Sequence, residues 1–281
     1  MSKETIFTTE AEITREVKRF RRYLRKENSS INTVNSYCWT LNYFLSTYRH
    51  ITTDTILAYK AYLIEYFSPQ TANQRMQAMN KYFNWNGLKF HMKAVKIQRR
   101  QFLENVISMP DYKFLKRKLK KEDDLIWYFM VWGIASTGAR PSELVKFKVE
   151  HIKIGYTDIY GKGVKVRRIY FTKQFQKETL KWLESIDRTE GYIYLNKDGN
   201  VMTVKGLDKQ LKHFAVKYGL NKEVMYSYSF RHFYGKSFCE KYMDLPLLAD
   251  LMGHSSIETT RIYTRRTSAE QHAIVCRVVT W

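Results

Sequence analysis

The segment from Leu125 to Ala135 is apolar without interruption, and few protein folds can accommodate such a segment. A helix at a protein surface has one polar face, whereas this segment has none, so it predicts a helix that is buried on all sides. It is well short of the roughly 20 residues that a membrane span needs. The segment therefore predicts the centre of a globular domain.

The first hundred residues predict a small all-helical unit that ends near residues 85–87. Apolar residues recur there at intervals of three and four, as on one face of a helix, and residues typical of helix caps separate the stretches. The stripes are Val34, Tyr37, Leu41, Phe44 and Tyr48, then Ile56, Tyr59, Leu63 and Phe67, then Ala72, Met76, Met79 and Phe83, and the caps include Ser30, Thr52 and Ser68.

The region after the buried helix predicts a small sheet followed by more helices. The stretch Val149–Thr172 is rich in β-forming residues and contains a Gly-Lys-Gly turn, which predicts a β-hairpin or a three-stranded sheet. Helices are predicted around Leu207–Tyr218, over Ser229–Tyr242 and from Pro246 to Gly253. The fold class is therefore mainly α with a small antiparallel β-sheet.

The charge balance points to a polyanionic partner. The chain has 48 Lys and Arg residues against 27 Asp and Glu residues, a formal net charge of +21. Each neutralised phosphate releases condensed counterions, so nucleic acid is favoured over an anionic membrane surface. The N-terminal ten residues contain no apolar signal-peptide core. Three widely spaced cysteines argue against a disulfide framework or a zinc site and favour the cytoplasm.

A basic segment, His91–Lys121, lies between the two predicted units. It contains ten Lys and Arg residues, and such a stretch suits a linker that crosses a phosphate backbone. An ordinary solvated helix face explains its second half, Lys113–Lys121, equally well. The candidate DNA-binding residues in its first half are Lys93, Lys96, Arg99 and Arg100.

Two local sequences in the second unit each place a cation at a turn. In Thr137–Leu144, Gly138 is suited to end the buried helix and Pro141 to start the next one, which holds Arg140 at a corner close to a positive helix N-terminus. The turn Gly161–Gly163 would present Lys162 at a hairpin tip. It is not a phosphate-binding P-loop, because the required glycine and lysine spacing is absent. The same hairpin carries Lys165 and Arg167, two further candidate DNA contacts.

Two more segments complete the set. On a helix, Tyr228 and Arg231 are three residues apart and share a face. In Leu251–Thr264, Gly253 ends one helix, and Ser255 with Glu258 has the spacing of a capping box that starts the next. Tyr263 follows His254 by nine residues. Each segment alone is also explained by ordinary helix connections or core packing.

Taken together and in order, these segments resemble the catalytic domain of tyrosine recombinases, the phage integrase family. The resemblance covers about residues 110–264, and the N-terminal helical unit resembles the family's core-binding domain in size and character. The segments that carry it are Thr137–Leu144, Gly161–Arg168, Tyr228–His232 and Leu251–Thr264.

The resemblance implies a metal-free and cofactor-free reaction through a 3′-phosphotyrosyl intermediate. Tyr263 would be the nucleophile, Arg140 and Arg231 would bind the non-bridging phosphate oxygens, Lys162 would protonate the leaving 5′-oxygen and His254 would complete the hydrogen bonding. Members of the family usually have His three residues before the second arginine, where this chain has Tyr228. A phenol can donate a hydrogen bond to phosphate there but cannot act as a base near neutral pH. His232, next to Arg231, is expected to face about 100° away.

The resemblance also implies an organisation and partners. The expected domains are a helical, SAM-like core-binding domain over residues 1–95, a basic linker over 96–110 and an α+β catalytic domain over 111–281. The expected partners are double-stranded DNA with inverted-repeat core sites and further copies of the chain in a homotetramer, with accessory DNA-bending proteins left open. The apolar tail Ser268–Trp281 would dock onto a neighbouring subunit, or pack on its own domain.

Three alternatives remain open from the sequence. A type IB topoisomerase shares the chemistry but only relaxes supercoils. A catalytically impaired DNA-binding protein could keep the fold, with Tyr228 as the first sign of decay. A basic RNA-binding protein is a third class, although no RNA-recognition aromatic motif is present.

Overall fold

The computed structural model describes residues 5–97, 105–160, 166–254, 256–264, 268–279 and 281. The chain divides into two compact units, Met1–Arg99 and Arg100–Trp281. No helix among the described residues combines the length and the apolar character that a membrane span requires.

The N-terminal unit is a helical bundle built from the predicted stripes. Side chains of Phe44, Tyr59, Leu63 and Met79 are completely or almost completely buried in its core. Ser30, Thr52 and Ser68 each accept a hydrogen bond from the first turn of the following helix, as predicted. The elements are β1 Thr5–Ile6, α1 Glu10–Lys26, α2 Ile31–Tyr48, β2 His50–Ile51, α3 Thr53–Tyr66 and α4 Pro69–Trp85, with β1 and β2 antiparallel.

The second unit is organised around the apolar segment identified in the sequence. It forms helix α6, Leu125–Thr137, in which every residue from Tyr128 to Ala135 is buried. Neighbouring helices cover it on several sides, which confirms the prediction of a central buried helix. These neighbours are α5 Met109–Lys121, α9 Lys173–Ser185 and α11 Ser227–Lys241.

Of the two predicted arrangements, the structure has the β-hairpin, and it begins later in the stretch than predicted. The segment Val149–Ile154 is helix α8, and only β3 Tyr156–Tyr160 and β4 Val166–Tyr170 form an antiparallel hairpin. The reason is the spacing of the buried residues, because Val149 and Ile152 are three apart and face the core together. Gly155 then ends α8 with a positive φ of 89°, which few other residues tolerate.

The remaining helices of this unit are mostly short. The short helix α7 is Pro141–Leu144, α10 is Val204–Tyr218, α12 is Leu245–Met252, α13 is Ile257–Thr260, and α14 is Ser268–Val278. Tyr263 lies on a 3₁₀ turn, Arg261–Thr264, directly after α13 and not on a continuous α-helix. The residue that caps α13 is Ser256, which accepts a hydrogen bond from Glu258 N; Ser255 lies outside the described residues.

Candidate active site

Arg231 joins three segments of the second unit. The side chain lies on α11 and is 3% exposed. Its Nη1 donates to the carbonyl of Gly138 at the end of α6, and its Nη2 donates to the carbonyl of Met252, 2.7 Å away, at the end of α12. The same Nη2 lies 3.2 Å from Nε2 of His254. Burial lowers the pKa of Arg231 to about 10, so the guanidinium stays charged near neutral pH.

Arg140 lies at the helix corner that the sequence predicted. Gly138 ends α6 with φ 61°, and Pro141 starts α7 one residue after Arg140. Nη2 of Arg140 donates to the carbonyl of Gly253 at 2.7 Å, and Nη1 donates to Oε1 of Glu143 at 3.0 Å. The side chain is 36% exposed, so it is fixed by the protein while part of it remains open to a ligand.

Glu143 holds two arginines at once. One carboxylate oxygen accepts from Nη1 of Arg140, and the other accepts from the Arg140 backbone N–H and from Nη2 of Arg167. Arg167 also donates to the carbonyl of Leu251 at 2.7 Å. The sequence predicts a DNA contact for Arg167; in the structure its side chain is 9% exposed and bound to the protein itself.

His254 is held as a neutral ring. Its Nε2 faces Nη2 of Arg231, which is always a donor, so Nε2 is the accepting nitrogen and the proton lies on Nδ1. Nδ1 then donates to Oγ1 of Thr260, 2.9 Å away and completely buried. Burial, together with the charges of Arg231 and Arg140, lowers the pKa of His254 to about 4.

Tyr263 is buried in the same cluster, with 4% of its surface exposed. Its hydroxyl lies 3.1 Å from Nδ1 of His232, and its ring lies nearly parallel to that of His254 with the centroids 6.2 Å apart. Gly235 on α11 makes room for the ring, because a Cβ at this position would lie 2.7 Å from the Tyr263 Cζ atom. Burial raises the pKa of Tyr263 to about 12, so the phenol is protonated near neutral pH.

A cleft of about 920 Å³ opens beside this cluster. Arg140 and His254 are among the residues that line it, together with Val166, Arg168 and Tyr170 of the hairpin strands. The hairpin tip, with Lys162 and Lys165, lies outside the described residues, and so do Arg99 and Arg100. Within the described residues, no group of three or more His, Cys, Asp and Glu side chains is placed to hold a metal ion.

The remaining predicted site residues that the structure describes are exposed. Tyr228 is on α11 and is 45% exposed. Lys93 and Lys96 are exposed side chains of the N-terminal unit. Their contributions to DNA binding stay predictions, as does the role of Tyr228.

Three residues of the cluster were missed by the sequence reasoning. Glu143 comes three residues after Arg140, and Thr260 comes six residues after His254. The position of Glu143 in the first turn of α7, where it caps the helix, was the sequence signal that could have identified it. His232 does face away from Arg231 on the helix, as expected. The 3₁₀ turn that carries Tyr263 packs on the side of α11 that carries His232. The periodicity of α11 alone does not indicate this contact.

Comparison with known proteins identifies the family of the chain. A sequence model of the phage integrase family matches residues 104–270, more than half of the chain. The chain therefore belongs to the phage integrase family, the tyrosine recombinases, as the motif set predicted.

Relatives within the family include named Xer proteins. The chain is 28% identical over 268 residues to the tyrosine recombinase XerD of Listeria innocua, covering 85% of this chain and 89% of that protein. It is 25% identical over 256 residues to the tyrosine recombinase XerA of Pyrococcus horikoshii, covering 89% of this chain and 88% of that protein.

The fold matches solved structures at lower sequence identity. The XerH site-specific recombinase bound to difH substrate aligns with a TM-score of 0.67 and 18% identity, covering 96% of this chain and 84% of that chain. A lambda integrase dimer bound to a core site aligns with a TM-score of 0.68 and 15% identity, covering 89% of this chain and 76% of that chain.

Proposed function

We propose that this tyrosine recombinase exchanges DNA strands at specific sites through a covalent 3′-phosphotyrosyl bond to Tyr263. The observation that carries the proposal is the convergence of Tyr263, His254 and two arginines from separate segments into one cluster beside a cleft. Phosphodiester cleavage needs a nucleophile, neutralisation of charge on a phosphorane-like transition state and an acid for the leaving oxygen. The cluster contains groups suited to the first two tasks.

Each residue has a distinct part in the proposed reaction. Tyr263 attacks the scissile phosphate, and Arg140 and Arg231 bind the non-bridging oxygens through their planar forks of N–H donors. When phosphate binds, His254 carries its proton on Nε2, accepts a hydrogen bond from the Thr260 hydroxyl at Nδ1 and donates one to the phosphate. Lys162 protonates the leaving 5′-oxygen. The phosphotyrosyl bond conserves the energy of the broken phosphodiester, so the rejoining of strands requires no ATP.

DNA is the partner that the charge and the family both favour. A net charge of +21 supplies the non-specific attraction to the phosphate backbone. We propose that the N-terminal unit and residues 96–110 bind inverted-repeat core sites. The proposed contacts to the DNA backbone are Lys93, Lys96, Arg99 and Arg100, together with Lys165 of the hairpin. Four copies on two paired sites would complete the strand exchange.

The C-terminal tail is the proposed link between copies. Val275 and Val278 on α14 are each 55% exposed, and Trp281 is 92% exposed. Large apolar side chains left in solvent are stabilised when a second surface covers them. We propose that this surface belongs to a neighbouring subunit.

Covalent trapping tests the proposed reaction. Purified protein is mixed with sheared, nicked DNA from around its own gene, the reaction is quenched with detergent, and the attached fragments are sequenced. Wild type should capture discrete fragments by their 3′ ends, whereas Tyr263→Phe should capture none.

The matched control is Tyr242→Phe, which removes the hydroxyl of an exposed tyrosine at the end of α11. This variant should capture the same fragments as wild type. If wild type binds DNA and attaches to none of it, the proposed function is wrong.

A further inference from the structure

The proton of the Tyr263 hydroxyl needs an acceptor. A phenol becomes a strong nucleophile only as it loses this proton, and at a pKa of about 12 almost every molecule is protonated near pH 7. The side chain is 4% exposed, so bulk water has little access to it. A side chain within hydrogen-bond distance is therefore the effective route for the proton.

His232 has the position that this task requires. Its Nδ1 lies 3.1 Å from the Tyr263 hydroxyl, within the 2.6–3.2 Å range of a working general base. The ring centroids are 5.7 Å apart and the planes are inclined by 50°. Because Gly235 stands one turn further along α11, the same helix provides both the base and the space for the phenol ring.

The surroundings keep His232 neutral and able to accept. Burial and the neighbouring Arg231 lower the pKa of His232 to about 4, so a nitrogen lone pair is free across the physiological range. Two other groups act electrostatically on His232 and Tyr263. Cys239 on α11 acts on Tyr263, and His254 acts on His232. A phosphodiester bound at Arg231 would bring a negative charge, which raises the pKa of His232 and strengthens it as a base.

We propose that His232 is the general base that activates Tyr263, an inference that rests on the proposed function above. As the Tyr263 oxygen bonds to phosphorus, its proton passes to Nδ1 of His232 and forms an imidazolium. The bond between phosphorus and the 5′-oxygen breaks with its electron pair on that oxygen, which takes a proton from Lys162. Religation runs the two transfers in reverse. The usual family histidine is replaced by Tyr228, which cannot serve as a base near neutral pH.

The first test is the pH dependence of single-turnover cleavage. The substrate is a nicked duplex containing a fragment recovered by covalent trapping. His232→Asn keeps an oxygen that can accept the hydrogen bond but cannot take the proton, so cleavage at pH 7 should fall by ~10²–10⁴-fold. Its rate should then rise about tenfold per pH unit, because only the phenolate reacts, while the wild-type rate stays flat between pH 6 and 8.

The matched control is His213→Asn, which changes an exposed histidine on α10 and should cleave like wild type. DNA affinity and thermal melting establish that each variant is folded. If His232→Asn melts early, His232→Gln replaces it in the same comparison.

A sulfur substitution in the DNA distinguishes the role of His232 as the base from the role of Lys162 as the acid. A duplex with sulfur in place of the 5′-bridging oxygen has a leaving group of low pKa that needs no proton. This substrate should restore cleavage by Lys162→Ala and leave His232→Asn slow. Rescue of His232→Asn by sulfur, or a slow variant with a wild-type pH profile, overturns the assignment. Failure of wild type to cleave at all contradicts the proposed function instead.

Discussion

Replacing Gly235 by alanine should misplace the nucleophile without touching any polar group of the site. The new Cβ would lie 2.7 Å from Cζ of Tyr263 and 2.8 Å from Cε1 and Cε2, whereas ordinary contact begins at 3.4 Å. The ring must therefore move by about 0.7 Å, the difference between 3.4 and 2.7 Å. Such a shift also strains the 3.1 Å contact between the Tyr263 hydroxyl and His232.

The expected cost is catalytic more than structural. A 1 Å displacement of a reacting group can cost ~10²-fold, so Gly235→Ala should slow cleavage by about 10- to 100-fold. Overpacking of this kind also destabilises a core by roughly 1–3 kcal/mol, which a thermal melt would detect. DNA affinity should not change, because Gly235 is not among the proposed contacts to the DNA backbone.

The assay is the time course of the covalent complex on a nicked duplex at saturating enzyme, with the dissociation constant measured in parallel. The control is Gly206→Ala on α10, where a Cβ would meet only the hydroxyl oxygen of Thr203, at 3.2 Å. A Gly235→Ala enzyme that is folded and cleaves at the wild-type rate would refute the argument that this glycine positions the tyrosine.

Three further outcomes are expected. Glu143→Gln removes the charge that holds two arginines, so cleavage should fall about tenfold or more with little change in DNA affinity; equal rates would contradict this role. His232 and His254 bind protons less readily in the folded chain than in the unfolded one, whose histidines titrate near 6.5. Stability should therefore be full above about pH 6.5 and fall as the pH drops from there towards 4, and a variant that lacks both histidines should lose less over that interval in thermal melts. Deletion of Val275–Trp281 should abolish recombination and leave the monomer folded by circular dichroism; an unfolded product would show that the tail packs on its own domain.

The sequence predicted the parts of the site that depend on local backbone chemistry. Gly138, Pro141 and Gly253 end or begin helices where predicted, because left-handed glycines and first-turn prolines are determined by neighbouring residues. Arg140 and His254 follow from these breaks, since each stands directly beside one. The apolar segment that forms α6 was likewise predicted to be a buried helix, because only a central position removes all of its faces from water.

What the sequence did not reveal depends on which surfaces meet in three dimensions. The segment Val149–Ile154 is rich in β-forming residues, and its helix is set by the burial of Val149 and Ile152 against the core. The contact of His232 with Tyr263 joins residues 31 apart in sequence. No periodicity within α11 indicates which neighbouring segment will pack on its second face.

The way in which Arg231 is held has a consequence for charge matching. Its guanidinium is bound by carbonyls at the ends of α6 and α12, where helix dipoles are negative, and not by a carboxylate. Within the part of the chain that the structure describes, Arg140 and Arg167 share the Glu143 carboxylate, so the three guanidinium groups of the cluster have one carboxylate in ion-pair contact. Even without Lys162, the excess of two positive charges is larger than the single negative charge of a phosphodiester. Under the proposed mechanism, this excess favours the more negative phosphorane over the phosphodiester, which is the condition for faster chemistry and not merely tighter binding.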